Sequence, residues 1–584
     1  MANKLNFSLI RRILSYTQPY RFLFVAATVM TLLLAGMAIV RPLLISDALN
    51  RAVIKFESQA LLNELSLIIL SFLIFEGVLQ VINLKVTNLL GQNIVRDLRR
   101  QVYAHILRLK NTYFDNTPVG TLVTRAVSDI ESLSDVFAQG FIVIAGDMVM
   151  LIIFVVAMLV KNWILALLAL STIPLLFVAT ALFKRGVKKT FTMVRNAVAA
   201  LNTFTQEHIT GMRLVQLFNR EEQEFEKFKE INAQHRSANI KSIFYYSVFF
   251  PVVEILSSIS VALVIWFIGV KGKYYNINLG DITFYVMMVN MVFRPIRMLA
   301  DRLNTLQMGF VSAERVFKVL DTNEHISDEG KVPFVNVKNS IAFNDVSFAY
   351  RDEHYVLNNV SFEVPAGATV GLVGATGAGK STVINLLSRF YEFQKGEIKI
   401  DNTSIRDFEL SSLRKNTGVV LQDVYMFNDS ILNNITLNNS AISEEQVIEA
   451  TKEIGLYDFI LSLPGGLHYQ VKERGQSLSA GQRQLIAFIR AYVYKPSIFI
   501  LDEATATIDT PTELLIQRAV DRISAGRTSI IIAHRLSTIK HVDKVLVFDK
   551  GQIIEEGKIS DLLSRNSRFK TLYELQNKKE EEFL

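Results

Sequence analysis

The residues best suited to chemistry lie in the run Gly374-Ala-Thr-Gly-Ala-Gly379-Lys380-Ser381. Its spacing fits G-x-x-x-x-G-K-[ST], with the strand-like ATVGLV before it and the helix-like TVINLLSRF after it. Glycines at 374, 377 and 379 let the backbone curl so that successive N–H groups point at phosphate oxygens, and a helix opening there adds an anion-favouring N-terminus. Lys380 has the reach for β and γ phosphates, the Ser381 hydroxyl can ligate Mg²⁺, and Thr376 and Thr382 belong to the same loop. Farther on, the apolar strand Ile498-Phe-Ile-Leu501 ends in Asp502-Glu503. A carboxylate at the tip of a buried strand is placed to hold Mg²⁺, which is the role expected of Asp502, and Glu503 beside it can polarise a water that attacks the γ phosphate.

These residues need a rigid frame. From about residue 341, short β-branched runs (IAFNDVSF, SIFILD, TSIIIAH, KVLVFD) alternate with helical patterns such as 381–390 and 481–494. That rhythm predicts an α/β domain with a mainly parallel sheet over 341–584. The preceding half is different. Residues 22–40 carry no charge and span roughly a bilayer core as a helix. Similar runs follow near 61–84, 141–160, 163–183 and 243–270, with a weaker one near 277–299. The expectation is an all-α domain of six membrane helices over 1–325, with long helical extensions on one side at about 85–140 and 184–242. A polar, Gly- and Pro-containing linker is expected at 326–340.

The chain has 584 residues, no cysteine and a formal charge of +7. Thiolate catalysis and Cys-ligated metal centres are thereby excluded. The charge is lopsided: residues 1–330 hold 33 basic and 24 acidic side chains, against 29 and 31 in 331–584. Of the basic residues in the first half, only Arg41, Arg51, Lys55, Lys161, Lys271 and Lys273 fall on the side opposite the termini. The positive-inside rule then places both termini in the cytoplasm. A basic protein of this kind has no need of nucleic acid as a partner.

Leu478-Ser479-Ala480-Gly481-Gln482 resembles the LSGGQ signature of ATP-binding cassette proteins, and the other motifs of that family follow in order. Tyr350 matches the aromatic that stacks on adenine, Gln422 the Q-loop glutamine that senses Mg²⁺, Glu473-Arg474-Gly475 the X-loop, Asp509 the D-loop aspartate and His534 the switch histidine. The stretches 113–131 and 208–222 look like those that flank or form the coupling helices of the exporter branch. The resemblance covers the whole chain and is nearest to the bacterial multidrug and lipid exporter group.

That resemblance implies ATP and Mg²⁺ as cofactors, Glu503 as catalytic base with Gln422 and His534 beside the γ phosphate, and a composite site. The signature residues Ser479, Gly481 and Gln482 and the D-loop Asp509 of one chain complete the phosphate loop of another. A second half-transporter is therefore the expected partner; the intact Glu503 and His534 favour a homodimer over a heterodimer. The implied function is ATP-driven efflux of drugs or lipids through the bilayer, with lipid flipping as one form of it. An ATP-gated channel with slow hydrolysis is the alternative. A start close to the first helix, without an Arg- and Ser-rich transit segment, points to a bacterial inner membrane. Glu76, Asp147 and Glu254 lie within apolar segments, where an ionisable residue is a candidate for the substrate pathway, and three acidic groups suit a cationic amphiphile.

Overall fold

A helix satisfies its backbone polar groups internally, so long apolar runs that must avoid water fold as helices. The computed structural model describes residues 7–54, 59–272, 277–326, 328–351, 354–502, 510–533 and 539–581. Their contacts divide the chain into two units, 1–107 with 119–322 and 108–118 with 323–584. The short segment 108–118 thus belongs with the second unit, although it falls within the first half of the sequence.

The first unit opens with α1 (Phe7–Ser15), α2 (Arg21–Met37), α3 (Val40–Ala48) and α4 (Gln59–Ile106). The first membrane helix, expected near 22–40, is followed by a turn at residues 38–39 and continues as α3. Pro42 sits in the first turn of α3, where a missing N–H costs nothing. After α5 (Asn111–Asn116), which goes with the second unit, α6 (Val119–Thr124) and α7 (Ile130–Asp135) are separated and followed by π-turns at Arg125–Asp129 and Val136–Phe141. Next come α8 (Ile142–Lys161), α9 (Trp163–Leu170), α10 (Ile173–Thr210), α11 (Met212–Leu217), α12 (Glu221–Lys271) and α13 (Leu279–Leu320). Asn162 alone joins α8 to α9, its side chain accepting from Ile164 N and Leu165 N at 3.1 and 3.2 Å. The span expected at 163–183 breaks at Ser171–Thr172, ahead of Pro174.

Among the described residues, five helical stretches are long and apolar enough to cross a membrane: Gln18–Arg51, Ala60–Ile106, Ile142–Lys161, Trp163–Thr210 and Glu221–Lys271. The sixth, α13, covers the weaker segment 277–299 but is lowered in apolarity by Asp281, Asn290, Arg294 and Arg297. Exposed Leu67, Leu70, Ile74, Phe75, Val78 and Val81 line α4. Such a continuous apolar surface requires a lipid solvent.

The second unit holds two sheets. Strands β1 (Ser340–Phe348), β2 (Leu357–Pro365), β4 (Lys395–Ile400) and β5 (Thr403–Ser404) form an antiparallel sheet in the order β2-β1-β4-β5. The larger sheet combines β3 (Thr369–Gly374), β6 (Thr417–Val420), β7 (Ile498–Asp502), β8 (Thr528–Ile532), β9 (Lys544–Asp549) and β10 (Gln552–Gly557) in the order β10-β9-β3-β8-β7-β6. All its neighbours are parallel except β10 with β9. Every residue of β7 and β8 is buried, as a sheet covered on both faces demands.

In the first unit, α10 and α12 run far beyond a bilayer span and are linked by the short α11. His208 bridges them: Nδ1 donates to Phe204 O at 2.8 Å and Nε2 to Glu224 at 2.9 Å. With acceptors facing both nitrogens, the doubly protonated ring is favoured. The Phe204 carbonyl, then Glu224, raise the His208 pKa, and Lys227 and His208 hold Glu224 below its usual value. A raised histidine pKa contributes stability that is complete below about pH 6.5 and is lost as pH rises through the folded value. The hydrogen-exchange protection factor across residues 205–225, with the base-catalysed intrinsic rate divided out, should therefore fall on the alkaline side in the native chain. In His208→Gln the protection factor of the same segment should not change across that pH range.

Candidate active site

In the larger sheet, β3, β8, β7 and β6 lie side by side and point the same way. Register pairs Leu372 with Ile532, Asp502 with Ile532 and Val420 with Leu501. The phosphate loop after β3, the carboxylate ending β7 and Gln422 after β6 therefore leave the sheet at one level, with adjacent strands about 4.8 Å apart. This is the edge at which open parallel sheets bind ligands.

Gly379, at φ +100°, caps α14 (Lys380–Leu387). A Cβ there would approach Leu357 Cδ2 to 2.7 Å and Val356 O to 3.0 Å, so both conformation and space demand glycine. Gly377, at φ +83°, faces open space, which leaves the exposed side of the loop clear for a ligand. Lys380 is buried and donates from Nζ to Gly374 O at 2.7 Å and Ala375 O at 2.9 Å. Burial lowers its ammonium pKa and the charge of Asp502 opposes that shift. The result is a cation held against the loop's own carbonyls, at the place where a phosphate would arrive.

Thr376 is exposed on the loop, Ser381 is exposed on the first turn of α14, and Thr382 is buried. The Thr382 hydroxyl lies 3.2 Å from the hydroxyl of Tyr350, which also accepts from Asn385 Nδ2 at 3.0 Å. Asp502, only 8% exposed, closes β7. Ser381, Gln422 and Asp502 offer oxygen donors alone, the set a hard cation such as Mg²⁺ prefers. Among the described residues no three His, Cys, Asp or Glu side chains cluster. Glu503, Asp509 and His534 lie outside the described residues; β7 stops directly before Glu503, and the chain after β8 is described as far as Ala533.

The signature run behaves as a helix start. Ser479 caps the helix Ala480–Val493, its hydroxyl accepting from Gln482 N at 3.2 Å while Gln482 Oε1 accepts from Ser479 N at 2.9 Å. Gly481 is buried, whereas Ser479 and Ala480 face outward. Arg483 Nη1 donates to Leu478 O at 2.9 Å and Gly475 O at 3.3 Å, tying the left-handed turn at Arg474 to this helix. The helix is anchored in a core with Leu478, Leu485, Phe488 and Leu501. The phosphate loop rests on a different core, with Leu372, Ala378 and Val383.

The acidic residues of the membrane segments are not a bare anionic lining. Asp147 pairs with Arg302, and Glu254 with Arg297 at 3.2 Å. Both arginines come from α13. Glu76 is half-buried, and its Oε2 makes no hydrogen bond among the described residues. Two residues near the nucleotide loop escaped the sequence reading. Asn385 could have been found, since it lies three residues past Thr382 on one helix. Tyr391 follows the end of α14 and carries no motif.

Residues 24–296 match the family described as ABC transporter transmembrane region, and residues 357–506 the family described as ABC transporter. A probable multidrug resistance ABC transporter ATP-binding/permease protein of Bacillus subtilis (strain 168) is 34% identical over 495 residues, 83% of this chain and 72% of that protein. An ATP-dependent lipid A-core flippase of Syntrophus aciditrophicus (strain SB) is 32% identical over 573 residues, 98% and 95% of the two chains. A solved bacterial Atm1-family ABC exporter with ATP bound is similar at a TM-score of 0.76 and 27% identity, over 95% of this chain and 98% of that one. A glycine loop and a strand-end carboxylate on one sheet edge, joined in one chain to apolar spanning helices, agree with all of these matches. The chain belongs to the ABC transporter family, as a multi-pass membrane half-transporter of the exporter type whose cassette binds and hydrolyses ATP to drive export.

Proposed function

We propose that two identical chains form a pump that moves hydrophobic or amphiphilic molecules, lipids or drugs, out of a bacterial cell through the inner membrane, with both termini in the cytoplasm. The observation that carries the dimer is the separation of signature and phosphate loop onto different cores of one cassette, with Ser479 and Ala480 turned outward. A second chain supplies the missing wall of each site. Ser381, Asp502 and Gln422 would hold Mg²⁺, which would supply positive charge to the β and γ phosphates. Lys380 and the loop N–H groups orient the phosphates, Tyr350 stacks on the adenine, Glu503 takes the proton of the attacking water, and His534 and Asp509 complete the closed site. Closure of the paired cassettes turns the membrane helices outward, and hydrolysis releases them.

For cargo, the ion pairs Asp147 with Arg302 and Glu254 with Arg297 support recognition by shape and apolar contact rather than by attraction of a cation. The relatives' names, a lipid A-core flippase and a multidrug resistance transporter, support lipids or drugs as the class of cargo.

Glu503→Gln is expected to keep ATP binding and to slow steady-state hydrolysis by roughly 10²–10⁴-fold, the range for loss of a general base. Persisting turnover would remove Glu503 from that role. In inside-out vesicles the native chain should accumulate a hydrophobic dye when ATP is added, and hydrolysis without accumulation would favour the gated-channel reading. Across a panel of lipids, neutral amphiphiles and cationic drugs, stimulation of ATPase activity should follow hydrophobicity; stimulation by cations alone would contradict the paired-carboxylate argument.

A further inference from the structure

The segment 108–118 lies in sequence between α4 and α6, yet it is bound into the cassette unit. Leu109 bridges His325 in antiparallel fashion, Lys110 N donates to Glu324 O at 2.8 Å, and the His325 ring donates to Arg108 O at 2.9 Å. These bonds pin the segment to the linker and bring α5 alongside the end of α14. There the Tyr391 hydroxyl donates to Asp115 Oδ2 at 2.5 Å. Burial, then the adjoining Asp115 carboxylate, push the Tyr391 pKa upward, so the phenol stays protonated and remains a donor.

Tyr391 in turn meets Tyr350 edge to face, with ring centroids 5.0 Å apart and planes at 85°. Phe348 supports Tyr350 from a second direction at 4.8 Å. Beside them lies a cavity of about 290 Å³ lined by Lys110, Thr112, Glu324, Phe348, Tyr350 and Tyr391, among others. A half-exposed ring next to open space keeps one orientation only if its neighbours fix it. The ring of Tyr391 is itself fixed by a bond that reaches outside the cassette sequence.

We infer that Asp115 and Tyr391 are positioning residues of the nucleotide site: Asp115 orients Tyr391, and Tyr391 holds the Tyr350 ring for the base. The inference rests on the reading of Tyr350 as the base-stacking aromatic. It makes a residue encoded between the second and third membrane helices a determinant of nucleotide affinity, independent of the hydrolytic step.

The test uses the full-length protein in lipid vesicles. Asp115→Ala and Tyr391→Phe should each raise KM for ATP roughly three- to tenfold, the worth of one well-placed aromatic contact, with kcat unchanged. Asp115→Asn, which keeps a carbonyl acceptor, should restore much of the affinity. Inhibition by tripolyphosphate, which has no base, should be the same in every variant. Adding Asp115→Ala to Tyr350→Ala should change KM no further. A fall in kcat at unmoved KM, a parallel loss of tripolyphosphate inhibition, or a full extra effect in the Tyr350→Ala background would each overturn the inference. If Tyr350→Ala alone leaves KM for ATP untouched, the stacking role falls and takes this inference with it. That outcome is told apart from the others by the single variant.

Discussion

A nucleoside triphosphate brings about four negative charges to a domain whose own acidic side chains, 31 against 29 basic over residues 331–584, already outnumber its cations. The match has to be local and made largely by the backbone, since N–H groups deliver positive potential without the cost of burying several free cations. Backbone donors converge only when the chain takes conformations closed to ordinary residues, hence Gly377 and Gly379 in the left-handed region. They stay converged only if a rigid sheet ends at the loop. The rest of the cassette follows from that demand: two adjacent, fully buried strands, β8 and β7, beside β3, and a register that brings Asp502 level with Leu372, two residues before β3 ends. Lys380, bound to two loop carbonyls and reduced in pKa by burial, is the single cation placed inside this arrangement by the described structure.

Much of this was legible in the amino-acid sequence because it depends on short-range rules. A loop between a strand and a helix at 374–381, and an apolar strand ending in Asp502, are local statements, and β3, α14 and β7 stand where they were expected. The α/β expectation held, with one addition. Strands β1, β2, β4 and β5 form a separate antiparallel sheet, a pairing that alternating apolar residues permit but cannot specify without knowing the partners.

The readings that needed revision were tertiary. Asp147 and Glu254 stood out as acids in apolar segments, and their partners could not be named because Arg302 and Arg297 lie at least 40 residues away and on another helix. Segment 108–118 looked like part of the membrane half because chain order was the only guide, whereas its bonds to Glu324, His325 and Tyr391 assign it to the cassette. Helix ends differ for a simpler reason: an apolar run does not show its internal breaks, and Pro42 and Pro174 each sit in the first turn of a new helix.

The turn at Asn162 has a further mechanical consequence. A single residue, capped by its own side chain, lies between α8 and α9, and the Tyr285 hydroxyl of α13 is within 2.8 Å of both the Met158 and Asn162 carbonyls. No loop lies between these helices to absorb a displacement. A shift of α8 along its axis is therefore handed directly to α9, and the turn and α13 are tied at the same point.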